Sequence, residues 1–100
     1  MSSSNTTHEN RPRYVLFVAG SEPNSEIARG NFARICREMG IDDDSAEVID
    51  VFEDFTTAFE QGVMVTPTLH VILRGRKVEI IGNLQDFRID AIDLGIRGNE

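Results

Sequence analysis

The chain has 100 residues and a mass of 11.2 kDa, one domain's worth, and a fold of this size buries only about 60–65% of the surface its unfolded chain exposes. At 40% hydrophobic residues, with seven aromatics and no Trp, it holds material for one core and little for a deep substrate pocket, which points to a binding surface rather than a buried active site. Seventeen acidic residues against ten basic ones give a formal charge of -7, and such a surface repels phosphate backbones and argues against a nucleic-acid partner. The single cysteine, Cys36, excludes an internal disulfide, a C-x-x-C pair and a thiolate zinc cluster from one chain, so a cytoplasmic location is expected.

Met1 to Pro12 is polar, without an apolar h-region, and no later apolar run approaches a membrane span. Residues 1–12 are expected to be a disordered tail and residues 13–97 the folded domain. Tyr14-Val15-Leu16-Phe17-Val18-Ala19, ended by Gly20, predicts a strand buried on both faces and therefore central in a sheet. Ser21-Glu22-Pro23-Asn24-Ser25 then supplies turn and cap residues for a helix, with Pro23 suited to its first turn and Glu26 near the positive end of its dipole. Ala28, Phe32, Ile35, Cys36 and Met39 form one helical stripe expected to face the sheet, and Gly40 is a natural C-cap.

Ile41 to Ser45 reads as an acidic loop, and Ala46 to Phe52 as a second strand. A helical crossover between the first two strands predicts that they run parallel. Glu53-Asp54 starts a short helix with Phe55, Ala58 and Phe59 on one face, stopped at Gly62. Val65 to Leu73 reads as a third strand with Pro67 at its mouth, Arg74-Gly75-Arg76-Lys77 as a hairpin turn, and Val78 to Ile81 as a fourth strand. Leu84, Phe87, Ala91 and Leu94 mark a last helix. The order is a thioredoxin-like βαβαββα, an α/β fold with a mixed four-stranded sheet and three helices.

Read together, Tyr14 to Gly20, Pro23-Asn24-Ser25, Val48-Ile49-Asp50-Val51, Thr66-Pro67-Thr68-Leu69 and Ile80-Ile81-Gly82 resemble the KaiB family of small circadian clock proteins over about residues 13–96. Gly20, Pro23, Asn24, Ser25 and Gly82 belong to that pattern. The resemblance implies a non-catalytic adaptor that binds a KaiC-type ATPase ring, with a KaiA-like protein or a histidine kinase as further partners and a dimer or tetramer as its own assembly. It also implies a tetrameric ground fold as an alternative to the thioredoxin-like one. This chain departs from the family pattern at Arg74-Gly75-Arg76-Lys77, where better-known members carry a proline run, and at Asp93, where they carry a glycine. Both departures favour the thioredoxin-like fold. Glu47, Gly62, Val78 and Glu79 stand where familiar members are basic, which implies a divergent relative with its own partner.

The candidate sites follow from both readings. The turn from Gly20 to Ser25 lies where thioredoxins place a cysteine pair at a helix N-terminus, but it holds no thiol. Ser21 or Ser25 as a nucleophile would need a nearby base, and the two histidines, His8 and His70, sit in the tail and in a strand, so no catalytic residue is assigned. In a thioredoxin-like fold the Thr66-Pro67 bond is expected to be cis, chiefly as a structural device. Cys36 is expected in the core; His70 is a structural residue, and Asp42-Asp43-Asp44 lacks the pattern of a calcium loop, so no metal and no cofactor are expected. Arg29, Arg34 and Arg37 on the first helix, with Glu47 and Asp50, are the candidate partner-binding residues. A thioredoxin-like redox or glutathione-binding protein, with Cys36 as its only thiol, is the alternative from another class; a kinase-binding stress-signalling module is the other alternative, and no membrane contact is expected.

Overall fold

The structure, a computed structural model, describes residues 11–85. The last helix read from Phe87, Ala91 and Leu94, Asp93 within it, and nearly all of the polar N-terminal run lie outside the described residues. The elements are β1 (Arg13–Val18), α1 (Pro23–Met39), a 3-10 turn at Asp43–Ser45, β2 (Ala46–Asp50), α2 (Phe55–Glu60), β3 (Thr68–Leu73) and β4 (Arg76–Ile81). They build one four-stranded sheet in the order β2-β1-β3-β4. The pair β1 and β2 is parallel, as a helical crossover requires, and the other two pairs are antiparallel.

The central place of β1 follows from its composition. Five consecutive residues, Tyr14 to Val18, are buried, because both faces of the strand are covered. Tyr14, Leu16 and Val18 join Phe32 and Ile35 of α1 with Leu69 and Val71 of β3 in the larger core. Val15 and Phe17 point to the opposite face, where they meet Ala58 of α2. Leu84, beyond β4, is also buried against the α1 side.

Two ends of elements show their local causes. Gly40 sits at φ 66 and closes α1 with the backbone bonds Ile41 N to Cys36 O (2.9 Å) and Gly40 N to Arg37 O (3.3 Å), a Schellman motif. The loop between β3 and β4 is only Arg74-Gly75, since Leu73 pairs with Arg76, and both loop residues have positive φ, 54 and 78. Those angles match the primed turns that follow the twist of a tight hairpin.

Several expectations are corrected in detail. The second strand ends at Asp50, not Phe52, because the Asp50 carboxylate accepts the Phe52 amide at 3.0 Å and turns the chain out of the sheet. The third strand begins at Thr68, not Val65; the Thr68 hydroxyl donates to the Val65 carbonyl at 2.8 Å, folding the preceding segment into a loop. The fourth strand starts earlier, at Arg76. Met39, read as facing the sheet, is exposed, as are Phe55 and Phe59, which share a helical face with Ala58, and Cys36 is half-buried beside the core rather than within it. With six residues, α2 buries Ala58 alone, the smallest residue of its apolar set, and its phenylalanines are left outside.

Candidate functional site

The turn between β1 and α1 is held by hydrogen bonds from side chains of β2 and α1. Gly20 has φ 53, a left-handed conformation that favours glycine. Its N–H donates to Asp50 Oδ1 at 3.0 Å, and its carbonyl accepts from Arg29 Nη1 at 2.7 Å. The same Asp50 oxygen takes the Phe52 amide, while Oδ2 lies 3.9 Å from Arg29 Nη2. A β-carbon on Gly20 would stand 3.1 Å from the Phe52 ring, so the ring rests on the glycine itself.

Behind this turn, fully buried Ser25 accepts the Ala19 amide at 2.9 Å and donates to Glu22 Oε1 at 3.4 Å. The hydroxyl thus supplies the acceptor that an amide leaving β1 needs, and its contacts are those of a turn rather than of a nucleophile beside a base. Asn24 Oδ1 accepts from Asn83 at 3.3 Å, next to Gly82, whose N–H donates to the Pro67 carbonyl at 3.0 Å. The Thr66-Pro67 bond is cis. Gly20, Pro23, Asn24, Ser25, Thr66, Pro67 and Gly82 therefore gather at one end of the sheet.

Among the other candidate residues, Arg29 and Asp50 share this turn, whereas Arg34 pairs with Glu38 at 3.3 Å along α1 and Glu47 pairs with Arg13 at 3.0 Å across β1 and β2. Such solvent-facing pairs contribute little to stability. Arg37 is exposed in the last turn of α1. Arg37 and Glu47 thus border a groove between α1 and β2 that Arg29 also lines, whereas Arg34 lies on the other flank of α1, beside Asn31, whose amide donates to the Asn83 carbonyl.

The sequence reading missed an exposed apolar cluster. Phe52, Phe55, Phe59 and Met64 are 76%, 68%, 72% and 89% exposed, unusual values for residues so close together. Phe55 and Phe59 stack on each other, with ring centroids 5.9 Å apart and planes 26° apart. They border a groove of about 320 Å³ that runs from Ala19 and Val51 to Val65 and Thr66, beside the Gly20 turn and the Pro67 loop. A signal for it was present: between Arg37 and Arg74 the chain has nine acidic residues and no Lys or Arg, and these aromatics are set within that acidic stretch.

The buried groups carry no evident chemistry. Burial pushes the Cys36 thiol up, and the negative charge of Asp43 adds to this, the opposite of what a reactive thiolate needs. His70 is buried beside Phe17, ring centroids 4.9 Å apart. Its Nε2 lies 3.3 Å from Glu79 Oε2 without the alignment of a hydrogen bond. Desolvation holds the imidazole below its ordinary pKa; Lys77 reinforces this and Glu79 opposes it. Among the described residues no group of three or more His, Cys, Asp or Glu side chains is placed to hold a metal ion, and no described helix is long and apolar enough to cross a membrane.

The fold is that of the thioredoxins. The thioredoxin of Fasciola hepatica superposes with a TM-score of 0.68 at 18% identity, over 82% of this chain and 78% of that one. A thioredoxin variant from Halobacterium salinarum gives 0.66 at 24% identity, over 89% and 78%. At such identities the likeness shows fold alone. Sequence comparison is more specific: the circadian clock protein KaiB3 of a Synechocystis species is 38% identical over 77 residues, 77% of this chain and 76% of that protein. The circadian clock oscillator protein KaiB of a Nostoc species is 37% identical over 78 residues, 76% of this chain and 72% of that protein. No family model matches the chain. On these relatives the chain belongs to the KaiB family of circadian clock proteins.

Proposed function

We propose that this protein is a non-catalytic adaptor that binds a KaiC-type ATPase ring and modulates circadian or related signalling output. The observation that carries the reading is a thioredoxin-like fold, in a chain of the KaiB family, whose α1 N-terminus offers Gly20, Ser21, Glu22 and Pro23 and no thiol. Cys36 lies 13 residues after Pro23, roughly 20 Å along the helix at 1.5 Å per residue, with its thiol pushed up rather than activated. A redox or glutathione role therefore lacks its nucleophile at the position where the fold would use it. What remains at that end is a rigid turn and an open apolar surface, the equipment of a binding module. The groove between α1 and β2, with Arg37 and Glu47, and Arg34 on the other flank of α1 offer further contact areas for the ATPase, for a KaiA-like protein or for a histidine kinase.

The test is size-exclusion chromatography with light scattering, on the protein alone and with the KaiC-type ATPase of its own genome in ATP or ADP. Co-elution at ring-sized mass is expected. Unchanged elution of both components in either nucleotide would refute the adaptor reading, and turnover in an insulin-reduction assay would favour the redox one.

A further inference from the structure

From the groove at the end of the sheet we infer that the face formed by Phe52, Phe55, Phe59 and Met64 docks a cationic, apolar segment of the partner protein, an amphipathic helix or loop bearing Lys or Arg. The inference rests on the adaptor reading and says where and by what chemistry the partner is held. Two independent features carry it. The first is shape and apolarity: four large side chains, each more than two-thirds exposed, stand around a groove of about 320 Å³. Phe and Met are enriched in the cores of protein interfaces, and a groove of this kind accepts the apolar side chains of an amphipathic segment. The three rings are partly pre-set, because Phe52 rests on Gly20 and Phe55 stacks on Phe59, which lowers the side-chain freedom they lose on binding.

The second feature is charge. Phe52 is followed by Glu53 and Phe59 by Glu60, both exposed, while Asp54 caps α2 by accepting the Thr57 amide at 3.2 Å and lines the neighbouring groove with Arg13. No Lys or Arg occurs between Arg37 and Arg74. Three basic side chains reach this region from other elements, and all are engaged: Arg29 with the Gly20 carbonyl and Glu26, Lys77 with the Gln61 carbonyl and Glu79, and Arg13, which lines a groove with Asp54, with Glu47. An acidic border around exposed rings selects a basic partner twice over, by steering its approach and by offering ring faces to ammonium or guanidinium groups. A second copy of this acidic chain would bring like charges together, which disfavours self-association through this face.

The probe is a synthetic 14-residue Leu/Lys helical peptide carrying one Trp, useful because the protein contains no Trp, with a Leu/Glu peptide of equal length as the control. The full chain is titrated by Trp fluorescence, and the bound face is mapped by amide shifts of the ¹⁵N-labelled protein. Binding of the Leu/Lys peptide with shifts at 52–65 is expected, weakened at least tenfold in the double variant F55S/F59S. That variant removes no charge and replaces exposed residues, and its amide spectrum shows whether the fold is kept. A roughly threefold loss is expected for E53Q/E60Q at low salt, and none for R34A/R37A. Equal affinity of wild type and F55S/F59S would overturn the inference, as would equal binding of the Leu/Glu peptide or shifts confined to α1. A wild-type dimer that becomes monomeric in F55S/F59S would assign the face to a second copy and also overturn it. The same samples are run with the ATPase ring. Ring binding without peptide binding removes this surface and keeps the adaptor reading; peptide binding at 52–65 without ring binding keeps the surface and removes the adaptor reading.

Discussion

Asp50 is the residue whose replacement tests most sharply how the end of the sheet is built. Its Oδ1 accepts two backbone amides, from Gly20 and from Phe52, both at 3.0 Å. The first bond is partly buried and the second exposed. A partly buried amide bond to a carboxylate contributes about 1.5 kcal/mol and an exposed one about 0.5 kcal/mol, so Asp50→Ala is expected to cost about 2 kcal/mol. Against the roughly 5–15 kcal/mol that holds a domain together, the variant stays folded, but its melting temperature falls by about 8–16 °C. Asp50→Asn keeps an acceptor for both amides and loses only the charge that faces Arg29, so about 0.5–1 kcal/mol is expected. Urea unfolding of the two variants at neutral pH reads both values. An Asp50→Ala variant within about 0.5 kcal/mol of wild type, or an Asp50→Asn variant as unstable as Asp50→Ala, would refute the clamp.

Three further outcomes follow from other parts of the structure. Ser25→Ala leaves the buried Ala19 amide without its acceptor and is expected to cost about 1–3 kcal/mol; a melting curve superposable on wild type would contradict this. Because burial lowers the His70 pKa, the unfolded chain binds the proton before the folded chain does, and this contribution is retained at high pH. Stability is lost as pH falls from the ordinary imidazole value toward the lower folded one. Urea midpoints at about pH 7.5 and about pH 5.5 are therefore expected to differ more in wild type than in His70→Leu, and parallel shifts in both would count against the assignment. The raised, half-buried Cys36 thiol is expected to react with a disulfide reagent roughly tenfold more slowly than free cysteine at the same pH, with full reactivity returning in urea; reaction at the free-thiol rate in the folded protein would contradict its placement.

How far the sequence spoke for itself varied along the chain. The central strand was legible because Tyr14 to Val18 is a continuous apolar run, which only a strand covered on both faces tolerates in water. The start and stop of α1 were legible because Pro23 and Gly40 have few other uses at those spacings. The core partners of α1 followed from Ala28, Phe32 and Ile35, although the outer end of that stripe, Met39, turned to solvent. What could not be read was the direction of α2. Phe55, Ala58 and Phe59 lie at helical spacing whether the helix presents its rings or its alanine to the sheet, and periodicity assigns the larger residues inward by default. The contact through Ala58 and the outward rings depend on the tertiary position of a six-residue helix, which local pattern does not encode.

The candidate site was legible in the same uneven way. The turn residues Gly20, Asn24 and Ser25 and the Thr66-Pro67 segment could be placed together by fold resemblance, and the structure gathers them at one end of the sheet. Arg29 and Asp50 read as candidate partner-binding residues; in the fold they hold the Gly20 turn from its two sides. A long-range pairing of residues 9 and 30 positions from Gly20 leaves no local mark in a sequence. The aromatic face was hidden for the opposite reason, since its residues are the kind expected inside.

We propose that this KaiB-family chain meets an ATPase ring through the end of its sheet. Hydrogen exchange of the full chain, measured by mass spectrometry with and without the KaiC-type ATPase in ATP or ADP, tests it most directly. Slowed exchange is expected across residues 50–66 on adding the ring, with the strands β1 and β3 unchanged. Exchange that is the same with and without the ring, or slowed only along α1, would contradict it.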